Sequence, residues 1–161
     1  MPRPLRSAFP HGVYHLTSRG VDGRPIFTDD DDRRFFICLL RGVTDRVGWK
    51  LHAYCLMGNH FHLIAECGQP QLSQAMERLN GLYASGFNAR QGRVGHLFQR
   101  RFESRAIGDD EYLEQACRYV LENPVRARLT SRARLALERA RAAVSPGSRC
   151  GASARARGRY P

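Results

Sequence analysis

Apolar positions along the chain follow two rhythms, one of period two and one near 3.6, and the switches between them predict the elements. Val13-Tyr14-His15-Leu16-Thr17-Ser18-Arg19 is rich in strand formers and stops at Gly20, which predicts a first strand. Thr28, read as an N-cap, precedes the acids Asp29 to Asp32. Phe35, Leu39, Val43 and Val47 then recur every fourth residue, with Phe36 and Leu40 beside them, which predicts an amphipathic helix ending near Gly48. Trp49–Met57 and Phe61–Cys67 read as strands, joined through the two-residue hairpin signal Gly58-Asn59. Leu72, Met76, Leu79, Tyr83 and Phe87 restore helical spacing from Gln71 to about Asn88, weakened by Gly81 and Gly86. Leu97 to Ile107 reads as a fourth strand. Asp109 caps a third helix, running to about Asn123, whose apolar stripe is Leu113, Ala116, Cys117, Val120 and Leu121. Beyond Pro124 a short Ala/Arg helical segment is expected to about Val144, and disorder after it.

The order β-α-β-β-α-β-α predicts an α+β, ferredoxin-like fold, a four-stranded antiparallel sheet with two helices on one face. The third helix is extra, and the sheet's open face is where it would cross. Residues 8–130 form the expected domain, and 131–161 a basic Ala/Arg-rich tail. Many unrelated functions use this scaffold, so function has to come from particular residues.

Charge changes this picture little. Of a net charge of +11, residues 126–161 supply +9, from ten arginines against Glu138. The body is near neutral. Such a tail favours polyanions. Arg- and Ala-rich coding bias could also produce such a tail, since Lys50 is the single lysine beside 25 arginines, so the charge favours nucleic acid only modestly. The cysteines, odd in number at five, form no C-x-x-C pair, and four lie in apolar segments. Buried thiols are expected, not disulfides or zinc ligands. No apolar run reaches membrane-spanning length and the N-terminus lacks an apolar signal core, so a cytoplasmic protein without a membrane partner is expected.

The candidate chemistry begins at Gly58-Asn59-His60-Phe61-His62-Leu63-Ile64. On a strand, residues i and i+2 share a face, so His60 and His62 stand side by side with Phe61 turned away. Two neighbouring imidazoles on a rigid strand supply two legs of a metal site if a third ligand comes from elsewhere. Two solvated surface histidines are the plainer reading. Tyr119 and Asn123, four apart on the third helix, share one side of it. Were that helix to lie over the third strand, phenol, amide oxygen and imidazoles would converge. A divalent cation held so keeps positions open for a phosphate oxygen and stabilises charge building there. Each residue also has a structural reading. Tyr119 borders an apolar stripe, and Asn123 before Pro124 suits an N-cap of a following helix. Tyr112 is a rival nucleophile without an amide four residues on. Glu66, on the same face but four residues along the strand, reads as a solvated or ion-paired edge residue and not a ligand.

Four blocks taken in order carry a family resemblance: Tyr14-His15-Leu16-Thr17-Ser18-Arg19-Gly20, Ala53 to Leu63, Gly95-His96-Leu97-Phe98-Gln99-Arg100-Arg101-Phe102, and Tyr112-Leu113 with Arg118 to Ala127. Over roughly residues 8 to 130 the chain resembles the single-tyrosine HUH transposases, most of all the REP-associated tyrosine transposases. The resemblance implies a transposase that cleaves and rejoins single-stranded DNA at hairpin-associated sites through a 5′-phosphotyrosine. It implies Mg²⁺ or Mn²⁺ as cofactor, His60 and His62 as metal ligands, Tyr119 as nucleophile, and Asn123 as the polar third ligand. Either a monomer or a homodimer is compatible with it. Arg19, Arg93, Arg100 and Arg101 are expected to bind the DNA strand. Two other classes compete: a domesticated, non-catalytic nucleic-acid-binding protein on the same scaffold, and a zinc hydrolase on His60 and His62. No H-E-x-x-H or Cys-rich set supports the latter.

Overall fold

The structure, a computed structural model, describes residues 11–68 and 71–126. In chain order the elements are β1 (Gly12–Arg19), a 3₁₀ turn (Val21–Gly23), α1 (Asp30–Val47), β2 (Lys50–Leu56), β3 (His60–Cys67), α2 (Gln71–Gln91), β4 (Glu103–Ile107) and α3 (Asp110–Arg126). The strands form one four-stranded sheet in the order β2-β3-β1-β4, with antiparallel neighbours. This is the predicted ferredoxin-like α+β arrangement. The basic tail and the helix expected to about Val144 lie outside the described residues.

Strand alternation sends successive side chains of β3 to opposite layers. Phe61, Leu63, Ala65 and Cys67 join Tyr14 and Leu16 of β1 in the main core, against Phe36 and Leu40 of α1 and Leu72, Met76, Leu79 and Tyr83 of α2. On the other face Ile64 packs with Ala53, Cys55, Met57, Ile107 and Val120, flanked by Leu113, Ala116, Cys117 and Leu121. That second cluster is the predicted stripe of α3. The helix therefore crosses the face opposite α1 and α2, over β2 and β3.

Several local expectations are corrected. The N-cap of α1 is Asp29, not Thr28; its carboxylate accepts from the Asp32 backbone N–H at 2.9 Å. Thr28 instead donates its N–H and hydroxyl to the Asp32 carboxylate, at 2.8 and 2.6 Å. The fourth strand is only Glu103–Ile107. Leu97 to Phe102 lies alongside irregularly, through an isolated Gly20–Phe98 bridge and a Gln99 N–H bond to the Arg19 carbonyl at 2.9 Å. Leu97 and Phe102 are buried in the main core, and that anchoring breaks the alternation a strand would need. The Gly58-Asn59 turn is not of the primed type, since neither residue has positive φ. The 20–27 loop shapes it: Ile26 and Phe27 both donate to the Gly58 carbonyl, and Gly20 donates to the Asn59 carbonyl. Cys55 and Cys67 are buried thiols as expected and Cys117 is half-buried, whereas Cys38 is disulfide-bonded. Finally, α3 does not stop at Asn123. It continues through Pro124 to Arg126, so Asn123 is inside a helix and caps nothing.

Candidate active site

β3 begins at His60, and the pleat puts His60 and His62 on the α3 face, as Ile64 two residues on shows by packing there. Their ring centroids are 5.0 Å apart with the planes at 85°. The predicted side-by-side placement is realised. Pairing with β1 sets Arg19 opposite His60 and Thr17 opposite His62.

Each imidazole is held at its Nδ1 edge. His60 Nδ1 is 2.6 Å from Asn59 Oδ1. His62 Nδ1 lies 2.9 Å from His15 Nε2 and 3.2 Å from Thr17 Oγ1. The remaining edge of each ring is Nε2. Burial, reinforced by any positive charge on His15 and His60, pushes His62 down to about 4. Burial likewise lowers His60, with help from the Arg19 guanidinium, and His15, with help from Arg105. At neutral pH all three rings are uncharged, the form that ligates a metal.

α3 brings Tyr119 to this pair. Packing of Val120, Cys117 and Leu113 on the sheet leaves Tyr119 on the flank of the helix, 47 % exposed. Its ring meets His62 edge to face at a centroid distance of 6.4 Å and 82°. Tyr112 is equally exposed, but among the described residues it makes no ring contact with a histidine. The Tyr119–His62 contact forms within a single chain. One turn further along, Asn123 is half-buried, and its Nδ2 is buried with no hydrogen-bond partner. An amide orphaned in this way has polar capacity that the protein itself does not satisfy.

The arginines separate. Arg19 is exposed at the end of β1, beside His60 in register. Arg101 is exposed in the 97–102 segment, and Arg100 next to it pairs with Glu103 at 3.1 Å. Arg93 is half-buried, its guanidinium 5.8 Å from the Phe87 ring centroid, a contact with the helical layer. Of the four, Arg19 is the one the sheet brings to the histidines. Glu66 is ion-paired, with Lys50 at 3.9 Å, and its carboxylate lies 3.6 Å from His52 Nε2. Sequence reasoning missed His15, Asn59 and Arg105. Polar His15 and Thr17 alternating with apolar Tyr14 and Leu16 was an available signal for a polar face on β1.

Among the described residues no group of three His, Cys, Asp or Glu side chains is arranged to hold a metal ion. A cation on His60 and His62 would therefore need an oxygen from a residue of another kind. Asn123, one helical turn beyond Tyr119, carries an amide oxygen of that kind, so two imidazoles plus an amide oxygen is a donor set of chemistry suited to a divalent cation. The unpartnered Nδ2 is the donor end of the same amide and is not itself a ligand.

The profile of the IS200-like transposases matches residues 9–123, and the chain belongs to that family of transposases. Among solved structures it is similar to a REP-associated tyrosine transposase bound to a REP hairpin, with a TM-score of 0.62 at 17 % identity over 79 % of this chain and 74 % of that one. It is also similar to a candidate transposase from Deinococcus radiodurans R1, with a TM-score of 0.50 at 16 % identity over 76 % and 95 % of the two chains. At such identities these likenesses establish the fold. No curated protein sequence matches the chain. No helix among the described residues is long and apolar enough to cross a membrane.

Proposed function

We propose that this transposase is of the single-tyrosine HUH type and cleaves and rejoins single-stranded DNA at hairpin-associated sites. One observation carries the reading: the Tyr119 ring sits against His62, itself paired with His60, within one chain. Taken alone, that contact describes an ordinary rim tyrosine; its place in an IS200-like chain makes it the candidate nucleophile. The hairpin-bound neighbour supports DNA as the partner.

His60 and His62, through Nε2, and Asn123, through its amide oxygen, would hold Mg²⁺ or Mn²⁺. Bound there, the cation supplies Lewis-acid polarisation of a phosphodiester and lowers the cost of charge on its oxygens. The Tyr119 oxygen attacks the phosphorus, the phosphorus–oxygen bond to the sugar breaks as the phosphotyrosine bond forms, and the phenol proton is passed through solvent to the departing sugar oxygen. The departing sugar hydroxyl keeps the other end available, and the covalent link conserves the bond energy for rejoining. Exposure of Tyr119 suits this role, because the phenol has to reach a polymer that approaches from solvent. Arg19, opposite His60 in register, would hold a phosphate at the site, and the exposed Arg101 and Arg105 would add to the binding of the strand.

The test is incubation of the full chain with a pool of single-stranded hairpin oligonucleotides and Mn²⁺, read on a denaturing gel. A protein–DNA adduct is expected, absent with chelator and absent in Tyr119→Phe. An adduct that survives Tyr119→Phe but not Tyr112→Phe would reassign the nucleophile. Binding without any adduct across the pool would replace the reading with a non-catalytic DNA-binding role.

A further inference from the structure

We propose that Asn59 is a positioning residue for His60: its amide locks the imidazole in the Nδ1–H tautomer and so leaves Nε2 bare as the ligating nitrogen. The inference rests on the reading of His60 as a metal ligand. A turn position alone does not account for Asn59, because its φ is not in the left-handed region where asparagine is favoured.

Hydrogen-bond logic fixes the orientation. Asn59 Nδ2 lies 3.1 Å from the Gly23 carbonyl oxygen. A peptide carbonyl only accepts, so the amide end on Gly23 is the NH₂ group and the end toward His60 is Oδ1. Oδ1 also only accepts, and it lies 2.6 Å from His60 Nδ1, so that nitrogen carries the proton. A neutral imidazole has one N–H, which leaves the lone pair on Nε2. The contrast with His62 is instructive. Its Nδ1 faces a histidine nitrogen and a hydroxyl, each able to donate or accept, so nothing there imposes one tautomer.

The Asn59 amide is held from both sides. Its backbone carbonyl accepts from Gly20 at 2.8 Å, and the preceding carbonyl, of Gly58, accepts from Ile26 and Phe27 at 2.8 and 3.0 Å. Gly23 has a φ of 68°, which lets the loop turn its carbonyl back onto the amide. Tyr83 closes the chain of support by donating its hydroxyl to the Ile26 carbonyl from the buried side. The 20–27 loop therefore acts on the site through one amide. A partner of this kind behind a metal-binding histidine typically changes metal affinity about 10- to 100-fold when removed.

The test is ¹⁵N-imidazole NMR on the metal-free full chain, together with Mn²⁺ titration, for wild type, Asn59→Ala and Asn59→Asp. Wild-type His60 is expected as the Nδ1–H tautomer. Asn59→Ala should give a mixture of tautomers and lose about tenfold or more in Mn²⁺ affinity. Asn59→Asp keeps the acceptor, though not the donation to Gly23, and should restore both the tautomer and binding. A purely structural Asn59 would predict that Asp rescues neither. An Nε2–H tautomer in wild type, or a pure Nδ1–H tautomer in Asn59→Ala, overturns the proposal; the first of these needs no variant to fold. A wild-type Nδ1–H tautomer with no Mn²⁺ binding at all would instead overturn the ligand role of His60, and the positioning role with it.

Discussion

Two glycines inside α2 separate what helix propensity does from what packing does. At Gly81 an added Cβ meets nothing within 4 Å, whereas at Gly86 it would lie 2.5 and 2.6 Å from Cε1 and Cζ of the Phe35 ring. Glycine in a helix interior costs about 0.5–1 kcal/mol relative to alanine, so Gly81→Ala should stabilise the protein by about that amount. Gly86→Ala gains the same increment but has to displace Phe35, whose ring stacks on Tyr83 at 5.8 Å and 31°. Phe35 is 37 % exposed, so it can swing outward without a backbone shift. The displacement still forfeits an aromatic pair worth about 0.5–1.5 kcal/mol and some apolar burial. The expected net for Gly86→Ala is a loss of about 0–1 kcal/mol, and the two alanines should differ by about 1–2 kcal/mol. Urea unfolding of both variants, repeated in a Phe35→Ala background, measures this directly. In that background Gly86→Ala should stabilise as much as Gly81→Ala. Equal stabilisation by both alanines in the wild-type background would refute the account of Phe35 and Gly86.

Three further outcomes follow from the site and its supports. With chelator present, lowering the pH from 7.5 to 5 should destabilise the fold. His62 titrates near 4 when folded against 6.5 when unfolded, so the unfolded chain binds more protons in that window. The resulting loss at pH 5 is about 2 kcal/mol by linkage, and a His62→Gln variant should show a correspondingly flatter urea-midpoint profile; identical profiles would contradict this. Asp32, 1 % exposed, accepts from Thr28 and pairs with Arg90, so Asp32→Ala should cost about 2–3 kcal/mol in urea unfolding. The loss stays at that level because Arg90 keeps Asp29 at 2.9 Å and reaches solvent; a loss below about 1 kcal/mol would deny Asp32 its structural role. Asn123→Ala should leave metal-free thermal stability unchanged or slightly higher, since it removes an unpartnered buried amide, while lowering Mn²⁺ affinity. Lost stability with unchanged affinity would make Asn123 structural only.

Legibility in the sequence tracked how local the determining force was. The stripe of α3 and the alternation of β3 are set by one face of one element, and both were readable from spacing. So was the pairing of His60 with His62, since strand geometry alone decides it. The end of α3 was misread because Asn-Pro is also a helix-start signal, whereas the helix runs on past Pro124 to Arg126. The fourth strand was read too long because Leu97 and Phe102 are apolar for tertiary reasons. His15 and Asn59 were missed as parts of the site for one shared reason. His15 meets His62 47 residues away through strand pairing, and Asn59, though adjacent to His60, is oriented by the Gly23 carbonyl 36 residues away through loop docking. The turn at Gly58-Asn59 was located correctly but its geometry was not, because the loop that shapes it is remote in sequence.

Mapping the covalent link tests the central claim most directly. Arg118 lies between Tyr112 and Tyr119, so trypsin places the two phenols in different peptides. After reaction with hairpin DNA and Mn²⁺, then nuclease and trypsin digestion, mass spectrometry should find the nucleotide remnant on the peptide running from Tyr119 to Arg126. A remnant on the peptide that contains Tyr112, or on no tyrosine at all despite cleavage of the DNA, would contradict the account.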